Sequence, residues 1–180
     1  MKSKQLIIEC LKGDSAAQRR LFDNYYKYVY TICHRYLRHH QDAEDVVSIV
    51  FQRVFDNLYK VKRTEADGLQ KWIHTISINE SLRFLQRKSP IDYRSDIALL
   101  IDDYPVEAPE SSALYSENIL KRAINELPTG YRTIFLLNVV EGLSHSEIAK
   151  HLNISRNTSK SQMLKARNYL KTKFKRYEAG

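Results

Sequence analysis

The side chains best suited to bind a ligand in this sequence are Arg156, Asn157, Lys160, Ser161 and Lys165, close to the C-terminus. In a helix that turns about 100° per residue, Asn157, Ser161 and Lys165 share one face, and Arg156 and Lys160 lie on its flank. Lys and Arg neutralise phosphates, whereas Asn and Arg form paired hydrogen bonds with base edges in the major groove. These residues therefore predict non-covalent binding of DNA.

Two helices are predicted to position these side chains. Gly142 ends one apolar run, and Ser144 and Glu147 have the spacing of a capping box at the start of a short helix. Asn153 tolerates a left-handed turn, after which Ser155 caps a longer helix. The buried side of that helix is formed by Ser159, Met163, Ala166 and Leu170. The pattern is typical of a helix-turn-helix. The alternative is a helical hairpin with a solvated basic face.

The charge of the chain is unevenly distributed. The 180 residues carry a net charge of +8, with +6 in residues 1–89, −6 in 90–117 and +8 in 118–180. Two basic blocks around an acidic stretch that contains Pro105 and Pro109 predict an all-α protein of two small domains, 1–89 and 117–180, joined by an acidic flexible linker, 90–116. A basic chain favours an acidic polymer as its partner, either nucleic acid or a membrane surface.

The same sequence indicates the cellular compartment and argues against a catalytic function. No apolar run is long enough to span a membrane, and no signal peptide opens the chain, so membrane insertion is not expected. Cys10 and Cys33 are isolated, which fits a reducing cytoplasm. A Gly-rich phosphate loop, an HExxH motif and a nucleophile elbow are all missing, so we expect neither an enzyme nor a cofactor.

The N-terminal half contains an acidic helix start. Asp42, Glu44 and Asp45 are predicted to occupy the first turn of a helix, where carboxylates complement the positive end of the helix dipole. The tyrosines between Tyr25 and Tyr36 follow helical spacing and are predicted to belong to the core rather than to a base-stacking surface. A zinc site is the weaker alternative for the nearby Cys and His residues, since a second thiol at ligand spacing is missing.

A second set of basic and amphipathic residues follows this helix. Lys62 and Arg63 lie in a predicted basic loop, 60–68, and the next helix, 69–88, carries Trp72, His74, Asn79, Arg83 and Arg87. Cationic side chains interleaved with an aromatic ring suit single-stranded nucleic acid, because bases stack on the ring while cations follow the backbone. The alternative for Trp72 is a place in the core.

The chain as a whole resembles the extracytoplasmic-function (ECF) sigma factors, the small two-domain bacterial sigma factors. Its second half matches their C-terminal domain at Leu127-Pro128, Arg132, Phe135, Glu141-Gly142-Leu143, Glu147-Ile148-Ala149, Ile154-Ser155, Thr158, Lys160-Ser161 and Ala166-Arg167. Its first half matches their N-terminal domain at Asp42-Ala43-Glu44-Asp45, Phe51, Trp72 and Asn79. These segments occur in the family's order and spacing over nearly the whole chain.

The resemblance implies a sigma factor that binds core RNA polymerase and promoter DNA, with an anti-sigma factor as a common further partner in the family. It implies that the −35 element is read by Ser155, Arg156, Asn157, Lys160, Ser161 and Lys165. It implies contacts to the −10 single strand from Lys62, Arg63, Trp72, His74, Asn79, Arg83 and Arg87. It implies docking on the polymerase through Asp42, Glu44, Asp45 and Ser48, while the acidic linker threads toward the RNA exit path.

Several positions depart from the family pattern. Ser48-Ile49 stands where the family often has Gln-Glu, Asn153 where Gly is usual, and Ser159 where a branched apolar residue is frequent. Arg83 stands where an acid is common, which adds positive charge near the melted strand that the resemblance implies. The alternative function is a helix-turn-helix regulator that does not bind core polymerase. That reading leaves the basic N-terminal block and the acidic linker without a role.

Overall fold

The computed structural model describes residues 2–61, 66–88 and 117–178, all of which lie in helices or short connections. The chain divides into two compact units, Met1–Pro90 and Ile91–Gly180. The predicted linker, 90–116, together with Lys62 and Arg63, lies outside the described residues. Within the described ranges the fold is all-α, as the sequence predicts.

The first unit is built from four helices, α1 (Lys2–Leu11), α2 (Ser15–Leu37), α3 (His40–Asn57) and α4 (Ala66–Lys88), with a short 3₁₀ turn at Leu58–Lys60. Asp14 caps α2, since its carboxylate accepts hydrogen bonds from the backbone N–H groups of Ala16 and Ala17. These bonds satisfy donors that the first turn of a helix otherwise leaves unpaired.

The start of α3 differs from the prediction. Arg38 adopts a left-handed conformation with φ of 62° and His39 is extended, so the chain reverses within two residues. The helix therefore begins at His40 rather than at Asp42, and Asp42 is the one acid of its first turn. Glu44 and Asp45 lie further along the helix, so the positive end of the helix dipole stabilises their carboxylates less than predicted.

The helices α2, α3 and α4 pack on one another around an aliphatic core. Its fully buried members include Leu21, Val29, Val46, Val47, Val50, Val54, Leu69 and Ile73. Tyr36 is buried and the other tyrosines of α2 are half-buried, with Tyr25, Tyr26 and Tyr30 packed against this core. The α2 tyrosines therefore belong largely to the core, as the sequence predicts.

Cys33 of α2 lies inside this core and faces a polar stripe of α4. Ser77 and Ser81 are buried there, and each hydroxyl donates to the carbonyl four residues earlier, at 2.8 and 2.7 Å. Burial raises the pKa of the Cys33 thiol to about 11, although a hydrogen bond with Ser81 acts in the opposite direction. The thiol of Cys33 is therefore protonated at neutral pH.

The second unit contains α5 (Glu117–Glu126), α6 (Thr129–Phe135), α7 (His145–Leu152) and α8 (Arg156–Glu178). Helix α6 begins at Thr129, directly after Pro128, whose ψ of 146° is not helical. It continues into a wider π-helical turn, Leu136–Val140. This turn shifts the register, so that Leu136 and Leu137 are buried whereas Val140 is 47% exposed.

Candidate nucleic-acid interface

Local hydrogen bonds fix both the start of α7 and the turn between α7 and α8. Ser144 and Glu147 form the predicted capping box, in which the Glu147 carboxylate accepts from the Ser144 backbone N–H at 2.8 Å. Asn153 has a φ of 54°, as its place in the turn requires. The hydroxyl of Ser155 accepts from the backbone N–H of Thr158 at 2.9 Å, so Ser155 caps α8 as predicted. The helix-turn-helix is confirmed in its local geometry.

The two sides of α8 differ as the sequence predicts. Ser159, Met163, Ala166 and Leu170 are all buried. On the opposite side Arg156, Asn157 and Lys160 are exposed, whereas Ser161 and Lys165 are half-buried. The predicted DNA-binding residues thus lie at the start and on one side of α8, with Leu164 37% exposed among them. We call this surface the recognition face. A rigid helix that presents cations and an amide together suits contact with phosphates and base edges.

His145 joins α7 to α8 in a way that sequence reasoning missed. Its Nδ1 lies 2.9 Å from the hydroxyl of Ser159, which is fully buried. The pair explains why a serine is tolerated where a branched apolar side chain would otherwise fill the interface, because the hydrogen bond satisfies the buried hydroxyl. A polar residue at an inward position of α8 was the available signal, but nothing in the spacing identified its partner.

On α4 the predicted residues separate into two groups. Trp72, Asn79 and Arg83 are spaced by seven and four residues, which places them on one stripe of the helix. Trp72 and Asn79 are half-buried and Arg83 is exposed. His74 lies on a different side, and its Nδ1 is 2.9 Å from the hydroxyl of Tyr28 on α2. The structure therefore brings Trp72, Asn79 and Arg83 together but does not bring His74 to them.

Arg83 and Arg87 lie at the C-terminal end of this stripe. The guanidinium of Arg83 donates to Glu80 at 2.5 Å, and Arg87 is exposed. Trp72 also packs against the core of the first unit, so its ring has one face available for stacking at most. We call Trp72, Asn79, Arg83 and Arg87 the α4 face.

The acidic residues of α3 differ in their exposure and in their partners. Glu44, Asp45 and Ser48 are exposed along α3. The carboxylate of Asp42 instead accepts from the Nζ of Lys88, at 2.6 and 2.7 Å, and its side chain is 16% exposed. Asp42 therefore ties the start of α3 to the end of α4. The exposed part of the predicted docking set is Glu44, Asp45 and Ser48.

Neither a metal-binding cluster nor a membrane-spanning helix is present among the described residues. No group of three or more His, Cys, Asp or Glu side chains is placed there to hold a metal ion. No helix in the described ranges is long and apolar enough to cross a membrane.

Comparison with known families matches both halves of the chain. Residues 21–91 match the family described as Sigma-70 region 2, and residues 117–170 match the family described as Sigma-70, region 4. The two matches cover the α4 face and the recognition face, and together they span more than half of the chain. The protein belongs to the ECF sigma factors of the sigma-70 family. It is an alternative sigma factor.

Individual relatives of this sigma factor extend over most of its length. The ECF RNA polymerase sigma factor SigW of Bacillus subtilis is 27% identical over 184 residues, which cover 95% of this chain and 96% of the relative. The ECF RNA polymerase sigma factor SigE of Mycolicibacterium smegmatis is 29% identical over 150 residues, covering 79% of this chain and 56% of the relative. The sigma factor RpoE of Bartonella quintana, solved with the anti-sigma factor NepR, is 20% identical, covers 87% of this chain and 96% of its own, and has a TM-score of 0.48.

The electrostatic surroundings of His145 in this sigma factor favour its neutral form. Its pKa is lowered below the ordinary 6.5, first by burial and then by the positive charges of Lys160, Arg156 and Arg167. The unfolded chain therefore binds a proton more readily than the folded one at this position. By linkage, the stability of the second unit falls as the pH drops through 6.5 toward the folded-state pKa of His145.

We expect His145→Gln to reduce this loss, because glutamine cannot take up the proton. The measurement is the thermal unfolding midpoint of the full chain at about pH 7.5 and about pH 5.5, a range in which histidines titrate. His151→Gln, an exposed histidine on the same helix, is the matched control. Equal pH dependence in His145→Gln, His151→Gln and the unaltered protein would show that His145 does not contribute.

Proposed function

We propose that this sigma factor binds core RNA polymerase and directs it to promoters through two separate DNA contacts. The observation that supports the proposal is that two basic faces, one in each unit, fall within the sigma-70 region 2 and region 4 matches. A protein that only reads duplex DNA would need the recognition face but would have no use for the α4 face. The proposed division assigns residues 1–89 to the polymerase and the −10 element, and residues 117–180 to the −35 element.

The recognition face reads the −35 element in the major groove. Arg156 and Lys160 neutralise phosphates beside the groove, while Asn157 and Ser161 have the donors and acceptors that discriminate between bases. Ser155 fixes the start of α8 through its cap, and Lys165 extends the basic edge by about two turns. This arrangement suits the docking of a helix-turn-helix on duplex DNA.

The α4 face holds the non-template strand of the −10 element after melting. Trp72 offers a ring on which an unpaired base stacks, Asn79 offers an amide for a base edge, and Arg83 and Arg87 follow the backbone. Lys62 and Arg63 remain part of the proposal as the basic loop that precedes α4. His74 supports the surface through its contact with Tyr28 rather than by lying on the same stripe.

The exposed side of α3 docks on core polymerase through Glu44, Asp45 and Ser48. Asp42 contributes by holding Lys88 and so fixing α3 against α4. The proposed partners are core RNA polymerase, promoter DNA and an anti-sigma factor, and the proposed place of action is the cytoplasm, where the polymerase and its template are found.

Binding of the purified chain to core RNA polymerase, followed by transcription from a genomic promoter library, tests the proposal. We expect a stable complex and transcripts that start downstream of a shared pair of sequence elements. Glu44→Lys with Asp45→Lys, which reverses the charge of the docking side, is expected to weaken the complex. Asp23→Lys with Asp56→Lys, which makes the same change of charge at two exposed acids of the first unit outside the docking set, serves as the control.

Failure to bind core polymerase, with duplex DNA still bound, would contradict the proposal. That result would favour the helix-turn-helix regulator, for which the second unit alone suffices.

A further inference from the structure

A groove between α3 and α4 collects three arginines around one buried carboxylate. Arg53 of α3 and Arg83 and Arg87 of α4 line it together with Glu80. The same oxygen of Glu80, Oε1, lies 2.5 Å from an Arg83 nitrogen and 3.8 Å from the Arg53 Nε. We call this cluster the arginine groove. Neither Arg53 nor Glu80 was identified as a site residue from the sequence, because their pairing joins two helices.

Glu80 is in an unusual position for a carboxylate. Its side chain is only 5% exposed, whereas those of Arg53 and Arg83 are 56% and 61% exposed. A buried carboxylate is costly unless it is paired and hydrogen-bonded, and two guanidinium groups this close repel each other without a negative charge between them. Glu80 thus holds two cations side by side while each arginine side chain remains more than half exposed.

We propose that the arginine groove binds the sugar–phosphate backbone of promoter DNA, with Arg53 as a phosphate contact and Glu80 as its positioning residue. The inference rests on the proposed role of the α4 face and extends it onto α3. Two guanidinium groups that share one carboxylate oxygen lie within reach of a single phosphate group. Planar guanidinium forks match the geometry of phosphate oxygens, and fixing them in advance reduces the entropy lost on binding.

DNA is favoured over an acidic protein segment by what lies next to the groove. Arg83 belongs both to the groove and to the stripe that carries Trp72 and Asn79. The aromatic ring and the amide suit the bases of a nucleic acid, and the cations in line with them suit its phosphate backbone. An acidic peptide would use only the cations. The groove has one apolar side chain in its lining, Ile49, which gives a peptide side chain little surface to bury.

The first test measures the salt dependence of holoenzyme binding to fork-junction DNA, in which the −10 strand is already unpaired. Arg53→Ala is expected to lower the affinity about 3- to 10-fold and to reduce the slope of log K against log salt by about 0.7 to 0.9, the value for one lost phosphate contact. Arg19→Ala is the matched control, since Arg19 is an exposed arginine of the same unit paired with Asp23. A slope unchanged from that of the control would overturn the proposal.

The second test separates positioning from overall charge. Glu80→Gln removes one negative charge and so raises the net charge of the protein by one, and an effect of net charge alone would tighten binding of DNA. Positioning predicts the opposite, a weakening of about 3-fold or more. Arg53→Lys is expected to keep the salt slope of the unaltered chain but to recover only part of the affinity, because an ammonium lacks the planar fork. Tighter or unchanged binding by Glu80→Gln would contradict the positioning role.

These outcomes are distinguishable from failure of the proposed function itself. If the unaltered chain does not bind core polymerase, the proposed function is wrong, and the inference about the groove, which rests on it, is wrong as well. If the unaltered holoenzyme opens promoters and Trp72→Ala impairs opening, but Arg53→Ala behaves like Arg19→Ala, only the inference about the groove is wrong. Weaker polymerase binding by Arg53→Ala, with an unchanged DNA salt slope once enough core polymerase is added to form the holoenzyme, would show that the groove binds protein, which also overturns the inference.

Discussion

Replacing both Arg156 and Lys160 by alanine is expected to weaken binding of −35 duplex DNA about 10- to 100-fold at moderate salt. Each residue is exposed on the recognition face and is proposed to neutralise one phosphate. The loss of two phosphate contacts should also reduce the slope of log K against log salt by about 1.8 for duplex DNA. The measurement is a salt titration with a labelled duplex that carries the −35 element found in the promoter library.

The control for this pair is Lys121→Ala with Arg122→Ala, which removes the same charge from α5 of the same unit. Long-range electrostatics would affect both double variants alike, whereas direct contact affects only the α8 variant. An equal loss of affinity in the two double variants would remove the support for α8 as the reading helix. Arg156 and Lys160 also lower the pKa of His145, so the titration is best made well above pH 6.5, where that histidine is neutral.

Trp72→Ala is expected to impair promoter opening about 10-fold or more while leaving −35 duplex binding unchanged. Stacking of one base on an aromatic side chain is worth about 1–3 kcal/mol by alanine substitution, and an unpaired base exists only after melting. The two readouts are permanganate reactivity of the −10 strand in the holoenzyme complex and affinity for the −35 duplex. Trp72→Phe should retain most of the activity, because the smaller ring still stacks.

Because Trp72 also packs against the core, its truncation is expected to lower stability as well. Ile73→Val is the matched control, since Ile73 is fully buried beside it on α4 and the change costs about 0.5–1.5 kcal/mol without altering the surface. If promoter opening falls in proportion to the thermal unfolding midpoint in both Trp72→Ala and Ile73→Val, the role of Trp72 is purely structural. Opening that falls only in Trp72→Ala would assign it to the DNA.

The second unit was the more predictable from sequence, because its determinants are local. The capping box at Ser144, the left-handed Asn153 and the cap at Ser155 each depend on residues within four positions of one another. Once the start of α8 is placed, helical periodicity determines which side chains face inward. The exposed and buried sides of α8 could therefore be predicted residue by residue, whereas the contacts of this helix with DNA stay a prediction.

What sequence could not predict were features that depend on tertiary contact. The chain reversal at Arg38 moved the start of α3, and the wide turn at Leu136–Val140 changed the register of α6, because packing overrides local preference at such positions. His74 could not be separated from Trp72 and Asn79 without knowing that α2 supplies Tyr28. Glu80 is unremarkable in the sequence and becomes informative only when Arg53 is seen beside it.

The burial of Cys33 has a practical consequence for studying the two units separately. Both cysteines of the chain, Cys10 and Cys33, lie in the first unit, and burial raises the pKa of each. A thiolate, rather than a thiol, attacks alkylating reagents, so the folded first unit is protected from them at neutral pH. The rate at which Cys33 becomes alkylated thus measures how often the packing of α2 against α4 opens. The second unit contributes nothing to this rate, because both cysteines lie in the first unit.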